Sequence, residues 1–196
     1  MKIAKNLLCT LLVLPLLVFA QKDRTEILNT FNEIKVYDEI NVTLIKSSKN
    51  KAVITGKKTD DVVLVNRNGR LKVRMEAEDI LAGDNTYVTI YYTEDLNLID
   101  ANENAVVTVK NPLRANNLVL RAQESASITA KVNTERLMVK AISGGDIEVK
   151  GKANMQEVIV RTGGNYDADK LNSETAQWLE KQNECLDEWC LSIFLS

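Results

Sequence analysis

The chain has 196 residues, of which 45% are hydrophobic, and a formal net charge of −2. It contains no histidine, which excludes His-based catalytic triads, imidazole acid–base chemistry and histidine metal sites. The slightly acidic charge balance excludes a typical nucleic-acid binder, which is strongly basic, and the length suits one domain.

Residues 1–20, MKIAKNLLCTLLVLPLLVFA, have the features of a secretory signal peptide. Lys2 and Lys5 make a basic start, an apolar run follows from Leu7 to Val18, and the segment ends in a small-residue cleavage site. The run is too short for a membrane span, which needs about 20 residues. A lipoprotein signal is the alternative, although Cys9 precedes most of the apolar run. We therefore predict export to the periplasm, the outer membrane or the cell surface.

Cleavage after Ala20 removes two of the 25 basic residues and leaves a mature chain with a net charge of −4. No second apolar span follows, so we expect no transmembrane segment in the mature chain. Only Cys185 and Cys190 remain, too few for a four-cysteine zinc site. In an oxidising compartment these two could form a disulfide. We predict neither a metal nor a cofactor.

The upstream half alternates apolar and polar residues in the manner of β-strands. The stretch FNEIKVYDEINVTLIKS begins at Phe31, and YVTIYY covers Tyr87 to Tyr92. Between them, Asn68-Gly69 separates two alternating runs, which is a strong signal for a hairpin or tight turn. No linker or change of composition divides the chain, so we predict one all-β domain over residues 21–175.

A repeat with a period of about 20 residues runs through the second half. Four segments align without gaps: NLIDANENAVVTVK from Asn97, LVLRAQESASITAK from Leu118, LMVKAISGGDIEVK from Leu137 and QEVIVRTGGNYDAD from Gln156. Each unit contains two short alternating strands around a tight turn. One apolar column is Ile99, Leu120, Val139 and Val158, and a second is Val107, Ile128, Ile147 and Tyr166. Equivalent strands at this period predict a parallel β-solenoid whose turns stack ~4.8 Å apart.

These motifs, with YVTIYYTEDLNLIDA and the repeated GGDI and GGNY turns, resemble the putative auto-transporter adhesin, head GIN domain family. The resemblance extends from about Phe31 to Leu171. It implies an exported protein of the Bacteroidetes type, folded as a right-handed parallel β-helix with turns of about 20 residues. The family supplies no established catalytic residue to transfer.

The tail, residues 176–196, departs from the repeat. Leu179, Leu186, Trp189 and Ile193 have roughly helical spacing, and Ser173 could cap such a helix. A short C-terminal helix would cover the open end of the solenoid. A truncated or frame-shifted end explains the change of composition equally well.

The paired glycines of the repeat, Gly144-Gly145 and Gly163-Gly164, raise the question of a phosphate-binding loop. Such a loop opens a helix and brings a lysine, whereas here a strand follows. Asn104-Ala105 and Ser125-Ala126 fill the same two positions in the other repeats. We therefore predict structural turns. Calcium is excluded because the GGxGxDx nonapeptide pattern is missing.

Two polar columns also repeat. Lys110, Lys131 and Lys150 share one outward position, and we expect Asp169 to end the column. These lysines could bind an acidic glycan or a lipid phosphate, or they could form an ordinary solvated face. The second column consists of Asp95, Asn116, Glu135 and Asn154. Short polar side chains of this kind usually bond turn backbone.

The sequence as a whole predicts an exported cell-envelope module, either structural or presenting its surface to a glycan or an envelope protein. Two alternatives stay open. One is a polysaccharide-active enzyme of the lyase type, because parallel β-helices also carry such enzymes. The other is a structural envelope protein that associates with itself through the solenoid end.

Overall fold

The computed structural model describes residues 23–76 and 86–181. The all-β class is confirmed: these residues form thirteen strands and no helix. The strands are β1 (Arg24–Ile27), β2 (Glu33–Val36), β3 (Asn41–Lys46), β4 (Lys51–Gly56), β5 (Val62–Arg67), β6 (Arg70–Met75), β7 (Thr86–Tyr92), β8 (Leu98–Ala101), β9 (Val106–Val109), β10 (Asn117–Gln123), β11 (Ser127–Ile142), β12 (Asp146–Arg161) and β13 (Asn165–Lys181).

All thirteen strands belong to one sheet in the order β1-β4-β7-β3-β9-β11-β10-β8-β2-β6-β5, with β12 beside β11 and β13 beside β12. Strand β11 joins two arms of this sheet. Its first residues pair with β9 in the first arm (β1, β4, β7, β3 and β9), and its last seven pair with β10 in the second arm (β10, β8, β2, β6 and β5). The sheet curls so that both arms bury their apolar faces in one core.

The predicted right-handed parallel β-helix is wrong, because the sheet is mixed. Strands β1 and β4, β4 and β7, and β5 and β6 pair antiparallel. Asn68 and Gly69, with φ of 52° and 76°, form a two-residue reversal that folds β6 directly back on β5. The antiparallel pairs all lie in the upstream half, where β2 and β6, and β3 and β7, still pair parallel.

Within the repeats the predicted register of the first apolar column is confirmed. Ile99 lies beside Leu120, Leu120 beside Val139 and Val139 beside Val158, all in parallel pairs. The upstream half lengthens this column, since Ile34 of β2 lies beside Ile99. All five side chains are buried. Each contributes about 1.5–3 kcal/mol relative to an exposed position.

Five β-turns stack at the ends of these strands, each with two successive residues at positive φ. Hydrogen bonds of 2.8–3.1 Å link each turn to the next: Glu39 N to Glu103 O, Asn104 N to Glu124 O, Ser125 N to Ser143 O, and Gly144 N to Thr162 O. The first of these turns belongs to the upstream half and the other four to the repeats. The stack therefore joins the two halves through main-chain bonds.

The helix predicted to begin near Ser173 is wrong, because β13 continues as a strand to Lys181. Its backbone pairs with β12 from Ala153 beside Ser173 to Val160 beside Lys181, so Leu179 lies on a strand. The rest of the predicted helix, with Leu186, Trp189 and Ile193, lies outside the described residues. Residues 182–196, with Cys185 and Cys190, lie outside the described residues, and their disulfide stays a prediction. Self-association at this end also stays a prediction.

Candidate functional site

The repeated lysines lie on the outward face of strands β11 to β13. Lys131 lies beside Lys150, and Lys150 lies beside Lys170. The expected end of the column at Asp169 is wrong, because a register shift after the Glu148–Asp167 pair brings Lys170 into line. We call Lys131, Lys150 and Lys170 the lysine row. All three are exposed.

Lys110 adjoins this row at the end of β9. Its backbone N–H donates to the carbonyl of Leu44 at 3.0 Å, while the pairing of β9 with β11 ends at Thr108 beside Thr129. The chain then loops out and returns where Leu113 bridges to Val132. Lys110 is exposed and lies at the margin of the row.

The lysine row lacks internal counterions. Within residues 23–76 and 86–181, no ion pair involves any of its three lysines. Like charges on neighbouring strands are destabilising. Exposed Glu148 and Asp167 lie side by side on the same strands without pairing to the row, so the row is a line of unpaired lysines with acids next to it.

The paired glycines lie in the turns before β12 and β13. Gly144 and Gly163 take φ of 78° and 72° as second central residues of these turns. Gly145 and Gly164 follow them, and a Cβ on either would lie 2.0 Å and 2.3 Å from the carbonyl oxygens of Ala122 and Ala141, respectively. The first glycine of each pair thus serves the turn, and the second allows close backbone packing.

The second arm carries a groove of about 740 Å³ on its outward face. Leu98 of β8 and Val119 of β10 lie side by side and form its apolar floor. Two members of the second polar column, Asp95 and Asn116, line it as well. Four cations surround the floor: Lys35, Arg70, Arg114 and Arg121. We call this the arginine groove.

The acids around this groove are already paired with lysine or arginine. The three ion pairs are Lys35–Asp100 at 2.7 Å, Arg70–Glu33 at 2.5 Å and Lys46–Asp95 at 2.7 Å. In the described part of the chain, Arg114 and Arg121 make neither an ion pair nor a side-chain hydrogen bond. The groove therefore holds two guanidinium groups that the protein leaves unpaired.

The family model described as "Putative auto-transporter adhesin, head GIN domain" matches residues 30–179. The chain belongs to this family. The resemblance seen in the sequence motifs is thereby confirmed. The family description names an adhesin and no enzymatic activity. A search of curated proteins finds no match.

Solved structures share the fold of this head GIN domain over 80% of the chain. A putative adhesin from Bacteroides fragilis is 18% identical with a TM-score of 0.71, and 74% of that chain is covered. A putative adhesin from Parabacteroides merdae is 17% identical with a TM-score of 0.61 and 75% covered. A protein from Parabacteroides distasonis described as a putative lipid binding protein is 16% identical with a TM-score of 0.57 and 76% covered.

The head GIN domain also holds a carboxyl pair at its turn stack. Glu103 shares a side-chain hydrogen bond with the buried Asp38, and this bond, with burial and the neighbouring charges of Asp38 and Glu124, raises the pKa of Glu103 to about 7. Asp38 also accepts a hydrogen bond from the Met75 N–H at 2.8 Å. The pair joins turns of the two halves, so we assign it a structural role.

Two kinds of feature are missing from the described residues of the head GIN domain. Residues 23–76 and 86–181 contain no group of three or more His, Cys, Asp or Glu that could hold a metal ion. No helix in the same residues is long and apolar enough to cross a membrane.

The sequence singled out Lys131 and Lys150 of the lysine row but missed Lys170 and the arginine groove. Arg121 occupies the outward position between two apolar columns of the first repeat strand, where Asp100, Lys140 and Ile159 stand in the other repeats. That alternation is visible in the sequence. Arg114 lies in the loop that interrupts the repeat period, so its place beside Arg121 could only come from the structure.

Proposed function

We propose that the chain is an exported cell-envelope binding module that holds an acidic glycan on the lysine row. Export is supported by the segment 1–20 and by the family's description as an auto-transporter adhesin. The observation that carries the proposal is the line of exposed lysines on three adjacent strands, without partners among the described residues. A glycan lying across these strands would supply the missing counterions.

The spacing of the row suits a polyanion better than a single small anion. Neighbouring strands place the lysine backbones ~4.8 Å apart, and long lysine side chains can splay toward successive acidic groups. Because the contacts are exposed point charges, they contribute mainly Coulomb attraction. Binding should therefore weaken steeply as the salt concentration rises above ~0.1 M, where the Debye length falls below ~10 Å.

The triple variant Lys131→Glu/Lys150→Glu/Lys170→Glu tests the proposal. We expect its retention on immobilised polygalacturonate at low salt to fall at least about tenfold, equal to ~1.4 kcal/mol. The matched control is Lys49→Glu/Lys57→Glu/Arg67→Glu, which makes the same charge change at exposed residues that are not in the row. The control should retain most of the binding. Equal losses of retention in both variants would mean that binding depends only on the net charge of the protein, which would contradict a site at the row.

The same chromatography separates a binder from an enzyme. A binding module retains the polymer and releases it at high salt with unchanged chain length. Measuring the reducing ends and unsaturated products of the eluted polymer checks this point. Shortening of the polymer by the pure protein would favour the polysaccharide-active alternative.

A further inference from the structure

We infer that the arginine groove is a second binding site, which takes the carboxylate of one acidic sugar residue between Arg114 and Arg121. The inference rests on the proposed function only in expecting a saccharide ligand. It concerns a different surface, because the groove lies on β2, β8 and β10 of the second arm, whereas the lysine row lies on the segments of β11 to β13 that continue the first arm.

The charge pattern around the groove leaves an anion-binding position open. Asp100 lies beside Arg121 in the strand register, but its carboxylate is held by Lys35 at 2.7 Å and by the Asn102 amide at 3.1 Å. Arg121 is thus next to an acid that is already used. Its Nε is buried without an acceptor, which is costly for a charged donor. The terminal nitrogens of Arg121 are not among the buried unpartnered atoms and make no hydrogen bond within the described residues, so they are the donors that an oxyanion from outside can reach.

The second guanidinium is positioned by an anchored loop. The side chain of Leu113 is buried, and its backbone N–H donates to the carbonyl of Lys131 at 2.9 Å. Arg114 follows directly, is exposed and lines the groove. Arginine binds carboxylates through two parallel N–H donors, a geometry that lysine cannot reproduce. Arg114 and Arg121 together therefore favour a carboxylate over a diffuse polyanion.

The shape and lining of the groove favour a sugar over an acyl chain. Its volume of about 740 Å³ lies in the ~300–1,000 Å³ range of small-molecule sites. The floor of Leu98 and Val119 can pack against the C–H face of a sugar ring, while three asparagines beside it offer amide donors and acceptors to hydroxyl groups: Asn97, Asn116 and Asn117. An acyl chain would need an enclosed apolar cavity, and this groove is open on one side and half polar.

Calorimetric titration with tri-galacturonate tests the site, with the fully methyl-esterified trimer as the uncharged probe. We expect the acidic trimer to bind and the ester to bind at least tenfold more weakly. Arg114→Gln and Arg121→Gln should each weaken binding of the acidic trimer at least tenfold. Arg121→Lys should not restore it, because the paired donors are lost. Lys57→Gln, an exposed lysine in the turn after β4, is the matched control and should bind normally.

A further variant keeps the test decisive if the Arg121 variants fold poorly. Asn116 is exposed at the groove, so Asn116→Asp should leave the fold intact and weaken the acidic trimer through charge repulsion. Unchanged binding in Arg114→Gln and Asn116→Asp would overturn the site. Equal binding of the ester would overturn the role of the carboxylate, and tighter binding of octanoate than of the trimer would make it a lipid site instead.

The outcomes also separate this site from the lysine row. The row variant Lys131→Glu/Lys150→Glu/Lys170→Glu should keep the trimer affinity of the groove while losing retention on the polymer. If the trimer affinity falls in the row variant and not in the arginine variants, the groove proposal fails and the proposed function stands. Loss of trimer binding in the arginine variants, with normal polymer retention in the row variant, would support the groove and contradict the row.

Discussion

The upstream stretch, residues 23–76 and 86–92, and the repeats, residues 97–181, fill one core by different pairing. In the repeats, each strand lies parallel to its equivalent in the next repeat. Upstream, three of the five strand pairs run antiparallel and two run parallel. The same alternation of apolar and polar residues serves both arrangements, because it determines which face is buried and leaves the direction of the neighbouring strand undetermined.

The largest effect should come from the close packing that only the later repeats show. A Cβ on Gly145 would lie 2.0 Å from the carbonyl oxygen of Ala122, which is backbone and cannot move cheaply. We expect Gly145→Ala to lower the free energy of unfolding by about 3 kcal/mol. Urea denaturation followed by circular dichroism measures this loss.

Gly163 provides the control for this prediction. It has a φ of 72°, but nothing lies within 4 Å of the position where a Cβ would be added. Gly163→Ala therefore adds only the cost of a left-handed residue, about 1 kcal/mol. If both variants lost the same amount, close packing would not distinguish the two positions. The equivalent turns with Ala105 and Ala126 would then need another explanation.

The second prediction tests the contact between the two halves. The pKa of Glu103 is raised from 4.5 to about 7, chiefly by its hydrogen bond to Asp38. The folded state therefore binds this proton more tightly than the unfolded state does. The stability gained from protonated Glu103 is therefore fully present below pH 4.5 and is lost as the pH rises from 4.5 through 7. Above that range Glu103 adds no further pH dependence to the free energy of unfolding.

Replacing this carboxyl by an amide should remove that dependence. Glu103→Gln should be more stable than the parent chain at pH 8, by under about 1 kcal/mol because Glu103 is exposed and screened. The advantage should shrink toward pH 4.5. Thermal unfolding at a series of pH values measures it, and Glu94→Gln, which changes an exposed glutamate that makes no ion pair within the described residues, is the control. A constant difference between the variants at all pH values would contradict the Asp38 contact.

The sequence predicted the repeats better than it predicted the upstream stretch. The column Ile99, Leu120, Val139 and Val158 was correct because a sequence repeat imposes one register on every copy. The partner of β4 could not be predicted from the sequence. Strand β4 does not pair with the preceding β3 but with β7, which comes much later in the chain, and such a pairing depends on non-local packing. Lys170 was missed because a bulge changes the register by one residue.

The candidate sites show the same limit. The lysine row repeats with the period and was visible in part, whereas the arginine groove combines one repeat position with a loop that breaks the period. Arg114 is brought to Arg121 by the anchor of Leu113 beside Val132. No local sequence pattern indicates that this loop lies next to this strand.

The smallest effect concerns the turn position at which the repeats differ. Asn104, Ser125, Gly144 and Gly163 share this position at φ between 57° and 78°. Asparagine and glycine tolerate this conformation, whereas serine does so less readily. Ser125→Asn should therefore raise the free energy of unfolding by about 0.5 kcal/mol. Ser48→Asn, an exposed residue of the upstream bend between β3 and β4, should change it by less. Urea midpoints that move equally for both would mean that the repeat turns are no more constrained than the upstream ones.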